Sequence, residues 1–138
     1  MPSPFAGSWH YRSFKNIPGP GPLQDWNDLE FAEGDFTFDD APAGLFSGSA
    51  DFGGGLTMKF SGNSGLGSPM QVRFQGIGTG ASNKDWDYDY IGFYVPQWPN
   101  GINQVDAIVG SVVRSKPHGT AAAGVTASII LLRNPNPA

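Results

Sequence analysis

Apolar and polar residues alternate along most of this chain. From Trp9 to Phe14, Trp9, Tyr11 and Ser13 share one face, and His10, Arg12 and Phe14 share the other. A period of two is the mark of a β-strand. It recurs at Leu45–Phe52 (Phe46, Ala50 and Phe52 on one face), at Leu56–Ser61 (Leu56, Met58, Phe60) and at Met70–Gly76 (Met70, Val72, Phe74). Trp86–Val95, Val105–Arg114 and Val125–Arg133 continue the series. Leu29–Asp39 is a strand with a fault. Leu29 and Phe31 have odd parity, whereas Phe36 and Phe38 have even parity. One residue must be absorbed between them, and Gly34 is the expected bulge. Helix spacing is nearly absent, because a glycine or proline interrupts every such window. Leu23–Leu29 holds one helical turn at most.

The connections are short and rich in turn residues. Ile17–Pro22 can join neither a helix nor a ladder, and reads as an ordered surface loop. Asp39–Gly44 is a turn, Gly53–Gly55 closes a hairpin, Gly62–Pro69 is a loop and Gly78–Asp85 is a turn. Pro96–Gln104 and Pro117–Gly124 flank the seventh strand at opposite ends. The tail Asn134–Ala138 is expected to fray. Short connections favour antiparallel neighbours, since parallel crossovers need a dozen or more residues. Closing the eight strands on themselves removes the edges that invite aggregation. The expected fold is therefore all-β: one domain over residues 1–138, an eight-stranded antiparallel up-and-down β-barrel. Eight strands leave an interior that side chains fill or that holds one small ligand.

Composition sharpens this picture. Ten Phe, four Trp and four Tyr in 138 residues supply a core, and argue against disorder despite 20 Gly and 12 Pro. Net charge is −4 with no basic block, so nucleic acid is not an expected partner. There is no cysteine, hence neither a disulfide nor a thiolate metal site, and two isolated histidines make no structural zinc site. No run approaches the roughly 18 apolar residues of a membrane span. Met1–Phe5 has no charged start and no apolar run of signal length, so a cytoplasmic location is the default expectation.

Gly7-Ser8-Trp9, at the head of the first strand, resembles the Gly-x-Trp signature of the calycins, the barrels that include lipocalins and avidins. The resemblance implies that Trp9 points into the closed end of the barrel. It also implies a basic residue on a late strand packed across the indole, with Arg133 the candidate and Arg114 the second choice. Length and strand count resemble the avidin outline more than the longer lipocalins, which carry a helix after the last strand. Tyr11, Ser13 and Asn16 resemble the polar groups avidins set around biotin. The surrounding residues and the tryptophan set depart from that pattern, so no biotin site is expected.

The most unusual run is Trp86-Asp87-Tyr88-Asp89-Tyr90. Facing inward, Trp86, Tyr88 and Tyr90 form a stacking wall for a ligand; facing outward, they form a subunit interface. Alternation alone does not choose, because a one-residue slip exchanges the faces. Asp87 and Asp89 read as solvated carboxylates, or as a weak cation pair. Tyr11 and Ser13 offer hydroxyls. Trp98, on a loop, is either a lid at the barrel mouth or a plug. Arg114 is available for an anionic group. His118 reads as an exposed turn residue, and His10 as outward-pointing. Gly76–Gly80 lacks the helix and lysine of a phosphate loop, and there is no Gly-x-Ser-x-Gly elbow.

The leading expectation is a small-molecule binder without chemistry, holding a partly apolar ligand against Tyr11, Ser13, Trp86, Tyr88, Tyr90, Trp98 and Arg114, with no cofactor and no metal. One alternative is an isomerase or cyclase that orients an apolar substrate, using Asp89, Arg114 and His118. The other is an assembly module, a homo-oligomer joined through the aromatic sixth strand.

Overall fold

The computed structural model of the chain describes residues 3–17 and 25–135. The expected loop over 18–22, the first two residues of the expected helical turn and residues 136–138 of the tail lie outside these. Eight strands follow one another: β1 (Gly7–Lys15), β2 (Glu30–Phe38), β3 (Leu45–Asp51), β4 (Thr57–Gly65), β5 (Gln71–Gly78), β6 (Asp87–Val95), β7 (Ala107–Arg114) and β8 (Thr126–Arg133). A short 3-10 turn, Trp26–Leu29, precedes β2. Each strand pairs antiparallel with its sequence neighbour, and β8 returns to β1, so the sheet is a closed up-and-down barrel. This is the expected architecture, and it is consistent with a calycin-like fold.

Strand limits differ in detail. β4 runs on to Gly65, because Gly62 lets β5 approach: a Cβ there would lie 2.0 Å from the Arg73 carbonyl oxygen. Val105, Met70 and Trp86 stand just outside the strands they were expected to open.

The bulge in β2 is not at Gly34. Ser13 pairs with Ala32, but Phe14 pairs with Glu30, so Phe31 is the extra residue that reverses parity. Gly34 stays in the ladder opposite Tyr11. Its hydrogen serves a different purpose. A Cβ would lie 2.8 Å from both the Asp51 carbonyl oxygen and the Phe52 ring. The glycine is what lets Phe52 lean across β2.

The alternating faces resolve cleanly into an aromatic interior. Phe36, Phe60 and Trp9 are fully buried, and Phe38, Phe46, Phe74 and Tyr90 pack around them. Tyr11 stacks on Phe36 at 4.1 Å and Phe74 on Tyr90 at 4.6 Å. Full burial of a large side chain is worth about 1.5–3 kcal/mol, and each ring pair adds about 0.5–1.5 kcal/mol.

One end of the barrel is shut. Phe5 folds under it, edge-on to Phe46 and Tyr94 at 5.9 Å each. The Trp9 indole N–H donates to the Phe5 carbonyl at 2.8 Å. Arg133 lies over the Trp9 ring, 4.3 Å from its centroid, as the calycin resemblance implies for the basic residue. Gly7 has φ +123°, and a Cβ on it would sit 3.1 Å from the Arg133 guanidinium. A left-handed backbone and a close cation thus both ask for glycine two residues before Trp9.

Candidate functional site

Among the described residues the interior is filled at the Trp9 end and hollow at the other. Two features of β2 leave the space. Its first half carries small inward residues, Ala32 and Gly34. Its pairing with β3 spans only four residue pairs, from Asp35↔Asp51 to Phe38↔Gly48, so residues before Asp35 have no β3 partner. The result is a cavity of about 280 Å³ opening at the mouth. Tyr11, Phe52, Met58 and Tyr90 line its depth, and Phe31, Trp86, Tyr88, Arg114 and His118 line its rim. Larger hollows of about 320 to 650 Å³ lie elsewhere, among them one of about 530 Å³ beside Phe5 and Leu66 at the closed end and one of about 650 Å³ over polar outward residues of β2–β4.

The rim is a small polar network set in aromatics. Arg114, the last residue of β7, donates from Nε to the Tyr88 hydroxyl oxygen at 3.3 Å and from Nη1 to the Ala122 carbonyl at 3.1 Å. Its guanidinium lies 4.9 Å from the Phe31 ring centroid. His118 Nε2 is 2.8 Å from the same Tyr88 oxygen. An arginine only donates, so Tyr88 accepts there and its own proton is free to go to His118 Nε2. His118 is held over the mouth by a bridge to Ala121 and by stacking on Trp86 at 5.3 Å.

Deeper in the cavity the polar atoms are phenols. Burial pushes Tyr11 and Tyr90 well above the usual tyrosine range. For Tyr90 the neighbouring phenols Tyr11 and Tyr88 push the same way; for Tyr11 the Ser13 hydroxyl partly opposes it. Both therefore stay protonated through the neutral range. The two hydroxyls are hydrogen-bonded to each other, and Tyr11 also to Ser13, so they present a small polar cluster at the base of the cavity.

Five of the seven residues expected at a site converge on this cavity: Tyr11, Trp86, Tyr88, Tyr90 and Arg114. The aromatic sixth strand thus faces inward, and Tyr88 and Tyr90 belong to the core. They are not the outward interface of the assembly reading. Ser13 is fully buried beside the site and bonds the Ala32 carbonyl at 3.4 Å, without lining the cavity.

Trp98 corrects the lid expectation. It lies between β6 and β7 at the shut end, across the barrel from the mouth, and is 71% exposed. Gln104 clasps its backbone, accepting from the Trp98 N–H at 3.0 Å and donating to its carbonyl at 2.6 Å. The connection that flanks the mouth is 117–124, the one carrying His118.

Other expectations shift too. Asp87 is buried rather than solvated, held by Gln75 at 3.0 Å and Lys116 at 3.4 Å. Asp89 points out of the barrel and accepts from Ser115. Asn16 accepts from Ser128 on the exterior at 2.8 Å. His10 is indeed outward, 2.9 Å from Glu33.

The apolar wall residues Phe31, Ala32, Phe52, Leu56 and Met58 were not among those expected at a site. Phe52 and Met58 carry a legible signal, the shared parity with Phe46 and Phe60. Phe31 carries none, since its facing depends on where the bulge falls. Such a site can enclose an apolar body, offer it phenolic hydroxyls, and meet it with a cation at the entrance. No protein-family profile, curated protein or solved structure matches the chain.

Proposed function

We propose that this protein binds a small, partly apolar molecule in the mouth of its barrel and does no chemistry on it. The observation that carries this reading is the 280 Å³ cavity walled by Tyr11, Phe52, Met58 and Tyr90. A dry cavity of about 150 Å³ accepts benzene, so this one suits a molecule of one or two rings. Binding sites are commonly concave, mostly apolar and furnished with a few polar groups. The calycin resemblance agrees, since binding within the barrel is what it implies.

The catalytic alternative is weaker. Arg114 and His118 do meet at Tyr88, but Asp89 faces away from them. Self-association keeps one supporting observation. Outward positions of β6–β8 towards the shut end, among them Val109, Ile130 and Leu132, are apolar and 36–43% exposed. Light scattering across a concentration series tests it: a constant monomer mass at high concentration contradicts a homo-oligomer.

The binding reading is tested by thermal denaturation with toluene, phenol and indole, on the wild type and on Ala32→Leu, which fills the cavity from β2. Ligand at about 100 times its Kd adds about 2.7 kcal/mol to the folded state. At least one compound is expected to raise the wild-type Tm and to lose that effect in A32L. No rise with any compound, or an equal rise in both proteins, contradicts the proposal.

A further inference from the structure

We propose that the natural ligand is a monocarboxylate, its ring in the cavity and its carboxylate against Arg114. This rests on the cavity-binding reading and adds the ligand's charge.

Arg114 carries unsatisfied donors. A guanidinium has five N–H groups in a planar fork. Arg114 uses two, and both go to neutral oxygens, those of Tyr88 and Ala122. Nη2 makes no hydrogen bond among the described residues. Nor does any described carboxylate come within 4 Å of Arg114. Among the described residues Lys59, Arg73 and Lys84 also lack an ion pair, but they are exposed to water, and Lys15 is half-buried outside the cavity; Arg114 is the unpaired cation that lines it. Arg12 is paired with Glu30 at 3.2 Å, Arg133 with Asp106 at 2.8 Å and Lys116 with Asp87 at 3.4 Å.

Among the described residues Glu33 is the one carboxylate lining the cavity, and it is engaged elsewhere. Its Oε2 lies 2.9 Å from His10 and 3.9 Å from Arg12, both on the outer face. A half-buried cation in an apolar wall is costly without a counter-charge. Phe31 and Tyr88 offset part of that through their ring faces, at 4.9 and 5.9 Å. A carboxylate would supply the rest, because its two oxygens fit the open side of the fork.

One fixed cation suits one negative charge. His118 does not compete for it, since its Nε2 already faces the Tyr88 hydroxyl. The ring of the ligand would lie deeper, against Phe52, Met58 and Tyr90. Phenylacetate has this shape, and phenylacetamide is its uncharged near-isostere.

Calorimetric titration of both compounds into wild type, Arg114→Gln and Arg114→Lys decides the matter. Hydrogen bonds to charged groups exceed neutral ones by enough to predict about a tenfold preference of the wild type for phenylacetate. R114Q is expected to lose that preference, binding the two compounds within about twofold of each other. R114K is expected to keep part of it, as a point charge without the fork. Equal wild-type affinities for the two compounds overturn the carboxylate inference and leave the cavity reading standing. So does a preference that survives in R114Q. If neither compound binds the wild type although toluene, phenol or indole raises its Tm, this inference falls and the cavity reading stands; if none of the five binds, both fall. The wild-type comparison needs no variant, so the test holds even if R114Q fails to fold.

Discussion

Arg133 Cζ lies 4.3 Å from the centroid of the Trp9 indole, while the same guanidinium donates from Nε to both oxygens of Asp106, at 2.8 and 2.9 Å. Its remaining donors reach the Ala6 carbonyl at 2.6 Å and the Pro4 carbonyl. One side chain at the end of β8 thus joins the first strand, the segment before it and the start of β7. Asp106 is left mostly buried if the cation goes. Breaking such a pair costs about 3–5 kcal/mol when it is fully buried. Arg133 keeps 27% of its side chain exposed, which lowers the expectation. Arg133→Ala is expected to lose about 2–4 kcal/mol in urea denaturation. A loss below about 0.5 kcal/mol, the usual surface value, would show that the closure does not depend on it.

The cavity phenols predict alkaline sensitivity. Burial raises Tyr11 and Tyr90 in the folded state above their value in the unfolded chain. The folded state therefore holds those protons more tightly. The stability this contributes is complete below the unfolded value of about 10 and shrinks as pH rises above it. Urea midpoints should hold up to about pH 9.5 and then fall. Tyr90→Phe should soften that fall by removing one of the two groups. A midpoint unchanged to pH 11, or a Y90F slope as steep as wild type, contradicts the burial of these phenols.

Trp98 and Trp86 make a matched pair of tests. Trp98 is exposed at the shut end, whereas Trp86 stacks with His118 at the mouth and lies 6.0 Å from Phe52. Trp98→Ala should leave stability within about 0.5 kcal/mol and leave toluene affinity unchanged. Trp86→Ala should weaken toluene binding by up to about tenfold, the value of one aromatic contact. The reverse ranking in a fluorescence or calorimetric titration would move the binding site to the other end of the barrel.

Much of this was legible because a strand states its faces in its sequence. Trp9, Tyr11 and Ser13 alternate without interruption, and all three are buried. Phe46, Ala50, Met58, Phe60, Val72 and Phe74 follow the same rule. Legibility failed where a local choice decides between equal alternatives. Gly34 and Phe31 both could take the extra residue of β2, and only the packing of Phe52 against β2 shows why the glycine stays in register. The end at which Trp98 lies follows from strand direction counted from Trp9, yet a loop tryptophan carries no sign of its own. His118 looked like an ordinary turn residue. Its place depends on Trp86 and Tyr88, thirty or so residues away in sequence, and no periodicity couples them.

Binding of toluene, indole or phenylacetate requires a ligand-accessible hollow at the mouth of an otherwise filled barrel. Diffraction from crystals pressurised with xenon tests it most directly, because xenon occupies apolar cavities without needing a particular polar partner. Xenon is expected among Tyr11, Phe52, Met58 and Tyr90, and is expected to be excluded from that position in A32L. Xenon found only in the groove beside Phe5 and Leu66, or nowhere in the barrel, would contradict it.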